Sequence, residues 1–193
     1  MNDNKKQVKR KGTVKKIVLS VLGICLLAIV VGISWMYSTV TCINKEYKSE
    51  EIVLGEGEKT ALLIYEPSKH DTAKEVSMSV AQIMVEHGYT VTMNYPSSKL
   101  SYDWEAFDVI ALGSPIYVGK VSPVLKDYVE RNPVENKKIL LYSMGLLPVD
   151  NTTEIDEMNS WVSANNDIFK TKCKTDEREP FENLIEKAIT DWE

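Results

Sequence analysis

A chain of 193 residues, 44% hydrophobic and 26% charged, has the size and composition of one globular domain with an appendage. Two histidines, His70 and His87, are too few and too scattered for a metal site or a nucleophile–base pair, and the three cysteines include no C-x-x-C and suggest no pairing. The formal net charge of −5 is unevenly spread, and the unevenness begins at the front.

Residues 1–16 carry seven Lys or Arg against one Asp. Residues 17–37, I-V-L-S-V-L-G-I-C-L-L-A-I-V-V-G-I-S-W-M-Y, carry no charge, and about 20 such residues suffice for a helix to cross the hydrocarbon core. A secretory signal is the rival reading, but its apolar region is typically about 7 to 15 residues, and no small-x-small cleavage site follows. The expectation is an uncleaved single-pass anchor. Lys and Arg flanking a span stay on the cytoplasmic side, so the N-terminus should be cytoplasmic and the globular domain extracytoplasmic, with Trp35 and Tyr37 at the outer interface. Cys42 follows the span, although T-V-T-C lacks the small residues expected ahead of a lipid attachment site.

Beyond residue 16 the chain has 16 Lys and Arg against 27 Asp and Glu, a net of −11. Such a domain repels nucleic acid and anionic membrane surfaces, and suits a basic protein partner. Residues 38–58 read as a polar linker and 59–193 as the domain. Within it T-A-L-L-I-Y (60–65) is apolar on both faces, as a strand covered from above and below would be. Ala73, Val76, Val80, Ile83 and Met84 then recur near a 3.6-residue period up to His87-Gly88. Y-T-V-T-M (89–93) is a second strand and F-D-V-I-A-L-G (107–113) a third. Val121, Val124, Leu125, Tyr128 and Val129 form a helical stripe, K-I-L-L-Y-S-M (138–144) a fourth strand, and Ile155, Met158 and Val162 another helix, opened by a cap at Asn151 or Thr152. D-I-F-K-T-K-C (167–173) is a weaker fifth strand. Phe181, Leu184, Ile185, Ala188, Ile189 and Trp192 close the chain as a helix, with Pro180 in its first turn.

Five strands alternating with helices predict an α/β fold, a five-stranded parallel sheet wrapped on both faces. Ligands of such sheets settle at the carboxyl ends of the strands, near the switch in strand order, which directs attention to loops 66–72, 114–120 and 143–150.

The middle loop reads G-S-P-I-Y-V-G-K (113–120) and leads into an amphipathic helix. Its glycines permit a tight path, and Ile116 with Tyr117 offers an apolar surface suited to a flat conjugated ring. Together with H-G-Y-T-V before the second strand, this run resembles the flavodoxin family, particularly the branch that includes flavodoxin-like protoporphyrinogen oxidase; the likeness covers residues 60 to about 142. The resemblance implies a doubly wound domain that binds FMN, with Ser114, Pro115, Ile116, Tyr117 and Gly119 against the isoalloxazine ring and Ser143 and Gly145 contributing from the next loop. It also implies that Ser68, Lys69 and Thr72 hold the phosphate at a helix N-terminus.

The family's phosphate loop follows S/T-x-T-G-x-T, and this chain departs from it. Pro67 stands at the first hydroxyl, Lys69 at the second, His70 at the glycine and Asp71 beside the matching Thr72. If Asp71 faces the cradle, two like charges about 4 Å apart cost roughly 4 kcal/mol at an effective dielectric near 20. Alternatively Asp71 is an N-cap and Thr72 to Glu75 a capping box, so that the protein's own oxygens occupy the helix end. Two functions follow: an FMN-binding electron-transfer or oxidoreductase module docking a basic redox partner at the membrane, or a binding or scaffolding domain that kept the fold and lost the cofactor. A response-regulator receiver would need an acidic cluster after the first strand and a lysine after the last, and Glu66 with Lys172 is too little for it.

Overall fold

The computed structural model describes residues 3–43, 45–68, 71–117, 119–146 and 153–192, in two compact units, 1–42 and 43–193. The first unit is helical. Helix α1 runs Asp3–Ile43, past the predicted span at both ends. Its stretch Val18–Ser38 is long and apolar enough to cross a membrane, and side chains such as Leu22, Leu27 and Ile33 are exposed.

The second unit is built in chain order from β1 (Ile52–Leu54), β2 (Lys59–Tyr65), α2 (Thr72–Glu86), β3 (Tyr89–Asn94), β4 (Val109–Pro115), α3 (Pro123–Glu130), β5 (Lys138–Gly145), α4 (Thr153–Asn159), β6 (Asp167–Lys174) and α5 (Glu179–Asp191). The sheet order is β1-β3-β2-β4-β5-β6. The five strands from β3 to β6 pair in parallel, as the alternation of elements predicts. The sixth strand is an addition to the expectation of five: β1, from the stretch read as linker, pairs antiparallel with β3. Upstream of β1, Ser49 Oγ and the Glu50 N–H both donate to Asn94 Oδ1, and Tyr102 donates to Glu51.

The central strands are apolar on both sides because both faces are covered. On one face Ala61, Leu63, Val91, Ala111, Leu140 and Tyr142 meet the stripes of α2 and α5. On the other, Leu62, Ile64, Ile110, Leu112, Ile139 and Leu141 meet α3 and α4. Each helix follows its sequence period with local corrections. On α5, Leu184 is 40% exposed, so the buried stripe is Phe181, Ile185, Ala188 and Ile189. Helix α4 ends at Asn159, ahead of Val162, and its expected cap at residues 151–152 lies outside the described residues. Helix α3 opens with Ser122 as N-cap, whose Oγ accepts from Leu125 N–H at 3.1 Å, followed by Pro123.

Candidate functional site

Strands β2 and β4 lie side by side and point the same way, yet their helices leave to opposite faces of the sheet. This is the switch point where a parallel sheet opens a crevice. Tyr65 is in register with Gly113, and Glu66 N–H donates to Gly113 O at 3.0 Å. The loop before α2 and the loop before α3 therefore start from one rim.

Gly113 is required there by its neighbour. A Cβ on it would lie 2.4 Å from Cζ of Tyr142, a wholly buried ring whose hydroxyl donates to Ser77 Oγ at 2.7 Å. Ser114 follows and turns inward: its Oγ accepts from Ser122 N–H at 2.9 Å and donates to Pro115 O at 3.0 Å, so it holds the loop from beneath. Pro115 is buried at the end of β4. Ile116, half-buried, donates its N–H to Met144 O at 2.8 Å and packs beside Gly145 of the neighbouring loop. Tyr117 and Lys120 exchange both backbone hydrogen bonds across a tight turn, in which Gly119 has φ of 71° and open space around it. Thus Ile116, Tyr117, Gly119 and Gly145 form a lip at the rim, while Ser114 and Ser143 are fully buried below it.

The loop before α2 differs from both readings of its sequence. Asp71 stands at the N-cap position with φ of 56°, makes no side-chain cap bond and is exposed; Glu75, the other end of the expected capping box, instead binds Arg178 at 2.6 Å. A left-handed cap residue turns its side chain away from the helix N–H groups that an extended cap would reach, so Asp71 does not cap the helix through its carboxylate. Ser68 takes over in part, its Oγ accepting from Ala73 N–H at 3.1 Å. Pro67 is buried and has no N–H, and Thr72 is half-buried in the first turn. Lys69 and His70 lie outside the described residues. An exposed Asp71 is screened by water, where a like charge 4 Å away costs about 1 kcal/mol rather than several.

Glu66 is the group whose role the sequence did not show. It is 1% exposed, and neither carboxylate oxygen has a hydrogen-bond partner. Burial pushes its carboxyl up to about 8; the nearby Ser122 hydroxyl pulls the other way without closing a hydrogen bond, and burial prevails. The available signal was parity: in L-L-I-Y-E, Glu66 continues the alternate positions Leu62 and Ile64 that face α3.

A cavity of about 200 Å³ lies elsewhere, at the opposite end of the strands, lined by residues including Trp104, Val129, Pro133, Val134 and Trp161. It shares no residue with the switch point. Among the described residues no group of three or more His, Cys, Asp or Glu is arranged to hold a metal.

The flavodoxin domain family matches residues 62–183. Among solved structures, oxidised flavodoxin 2 from Bacillus cereus is similar at 14% identity and a TM-score of 0.52, over 69% of this chain and 99% of that one. Flavodoxin from Streptococcus pneumoniae TIGR4 is similar at 12% identity and 0.51, over 68% and 99%. A flavo di-iron protein from Thermotoga maritima is similar at 16% and 0.51, over 80% of this chain and 37% of that one. Comparison with curated proteins gave no match. At these identities the structural likeness carries the fold alone. The strand order, the switch between β2 and β4 and a family match over more than half the sequence together place this chain in the flavodoxin domain family.

Proposed function

We propose that the chain is a membrane-tethered flavodoxin-domain protein that holds FMN at the β2–β4 switch point and passes electrons to a protein partner. The observation that supports this reading is the meeting of the α2 N-terminus with the Ile116–Tyr117 turn at one rim, one part suited to a phosphate and the other to a planar ring. The residues present fit such a group: the carboxylate of Asp71 is exposed and makes no bond to the helix end, and the Tyr117–Lys120 turn is open above Gly119. Ser68, Thr72 and the first turn of α2 would hold the phosphate, and Lys69, which follows Ser68 in the sequence, would add a positive charge. Ile116, Tyr117, Gly119 and Gly145 would flank the ring, with Ser114 and Ser143 setting the loops from below and Pro115 stiffening the exit from β4. FMN, when bound, supplies one- and two-electron transfer. The chain orients it, covers one face of the ring and offers an acidic surface to a basic partner, an encounter that weakens with salt. Helix α1 serves as the anchor, its basic tail on the cytoplasmic side and the flavodoxin domain outside.

A second reading, a binding module without flavin, draws on two details. Ser68 already occupies the Ala73 N–H, and Pro67 brings no donor. Purifying the full-length chain in mild detergent, recording absorbance at the flavin bands and titrating FMN by fluorescence separates the two. Neither bound nor bindable FMN defeats the first reading, whereas bound flavin that Tyr117→Ala weakens on the order of tenfold or more supports it. Orientation is read separately. Cys173 is buried, so a thiol is placed at exposed Glu86, as Glu86→Cys, and its labelling only from the cytoplasmic side refutes the proposed topology.

A further inference from the structure

The walls of the cavity at the opposite end of the strands come from three connections that converge on the amino ends of β4, β5 and β6. They are the turn Trp104–Ala106, the end of α3 with residues 132–135, and residues 161–163 after α4. Side chains fasten these walls together. Asn166 donates through Nδ2 to Val134 O at 2.9 Å and to Ser163 O at 3.0 Å, and Lys137 donates through Nζ to Glu105 O at 2.7 Å and to Phe107 O at 3.1 Å. A dry cavity of about 150 Å³ holds benzene, with its six carbons, so the volume here of about 200 Å³ suits about seven or eight heavy atoms.

The lining is of two chemical kinds. Val129 and Val134 are buried apolar surface, to which Trp104, 4% exposed, and the half-buried Trp161 add indole rings. Both indole N–H groups are buried without an acceptor; the Tyr128 hydroxyl is near that of Trp104, but the two do not close a hydrogen bond. Buried donors left this way call for an acceptor from outside the chain. The exposed part of the lining carries carboxylates. Glu130 is ion-paired with Lys126 at 3.8 Å, whereas Glu135 accepts from Ser163 Oγ at 3.2 Å and from Asn165 Nδ2 at 3.3 Å. Those neutral bonds hold the Glu135 carboxylate in place and leave its charge uncompensated, for among the described residues it has no ion-pair partner.

We propose that this cavity is an anchor site for a basic partner protein and takes the side chain of one arginine from an extended segment of that partner. An arginine side chain has about seven heavy atoms beyond Cα: a stem that packs on apolar surface, and a planar head that stacks on aromatic rings and bonds a carboxylate. The main-chain carbonyls of the same segment supply the acceptors that Trp104 and Trp161 lack, which a free alkylguanidinium does not. Long-range charge selects in the same direction. Beyond residue 16 the chain is net −11, so a basic protein is drawn to it and an acidic one repelled. Strands of eight residues separate the cavity from the rim by about 25 Å, so a partner anchored here leaves the rim open. The site uses none of the groups assigned to FMN.

The test uses the full-length chain in detergent without FMN, so its outcome is independent of the flavin reading. The indole nitrogen-15 N–H resonances of Trp104 and Trp161 are followed while three probes are added in turn. These are a capped glycine peptide with one central arginine, the same peptide with norleucine in its place, and n-butylguanidinium. Both resonances should move downfield with the arginine peptide, and each of the other probes should bind about threefold or more weakly. Glu135→Gln, a change at an exposed side chain, should weaken the arginine peptide by about threefold or more and leave the norleucine peptide unchanged. Trp161→Phe, which keeps an aromatic wall without the N–H, should weaken the arginine peptide by a similar factor. Indole resonances that do not move, a norleucine peptide or butylguanidinium that binds as well as the arginine peptide, or full affinity in Glu135→Gln each overturn the proposal.

Discussion

Replacing Glu66 with glutamine should stabilise the fold, and by an amount that depends on pH in a defined direction. In the unfolded chain the carboxyl titrates near 4.5; in the folded protein burial holds it at about 8. Below about pH 4.5 it is neutral in both states and costs nothing. Between 4.5 and 8 the folded state retains a proton that the unfolded state has released, so unfolding becomes easier as pH rises, and above 8 the penalty levels off. At 1.36 kcal/mol per pKa unit the full window has a ceiling of about 5 kcal/mol, and relaxation around an ionised carboxylate leaves a working expectation of about 2 to 5 kcal/mol. Glutamine keeps the shape and never ionises, so Glu66→Gln should gain most of that stability at pH 8.5 and little at pH 4.5. Urea unfolding of both proteins, followed by tryptophan fluorescence at the two pH values, measures it. A stability difference that is the same at both refutes the claim that an uncompensated buried carboxyl stands at the switch point.

Three further outcomes are expected. Gly113→Ala drives a methyl group to within 2.4 Å of the locked Tyr142 ring and should cost about 1–3 kcal/mol, read as a lower urea midpoint. Lys172→Met strands the buried Glu154 charge and should cost about 3–5 kcal/mol, much of it recovered in the double variant with Glu154→Leu; a double variant no better than the single contradicts the pairing. Ser68→Ala removes the acceptor of the Ala73 N–H and should cost about 1 kcal/mol, whereas Asp71→Gly should gain about 1 kcal/mol because glycine adopts φ near 56° without strain, both measured by thermal unfolding.

The sheet was legible because its strands are apolar on both faces, a pattern that only covered parallel strands require, and because each helix showed its period. Ile52–Leu54 was not, since three residues in a polar stretch make too short a run to register, and only the available edge of β3 recruits them. Asp71 misled for a related reason. Its residue type suits an extended N-cap, but the turn out of β2 demands a left-handed backbone at that position, and local preference yields to the path of the chain. The meeting of the two rim loops followed from topology and could be anticipated. The burial of Glu66, Ser114, Ser143 and Lys172 could not, because they come from the residue after β2 and from β4, β5 and β6, and each alone looks like an ordinary polar residue near a strand end.

The antiparallel strand β1 also bears on how copies of this chain meet at high concentration. At high concentration proteins meet one another often, and a sheet border with unpaired amides invites a neighbour to zip on. Here one border is only three residues long, and the other, β6, carries the exposed Lys170 and the part-exposed Lys174. Both flanks therefore discourage strand exchange between copies, so concentrated solutions of this chain should stay monodisperse rather than fibrous.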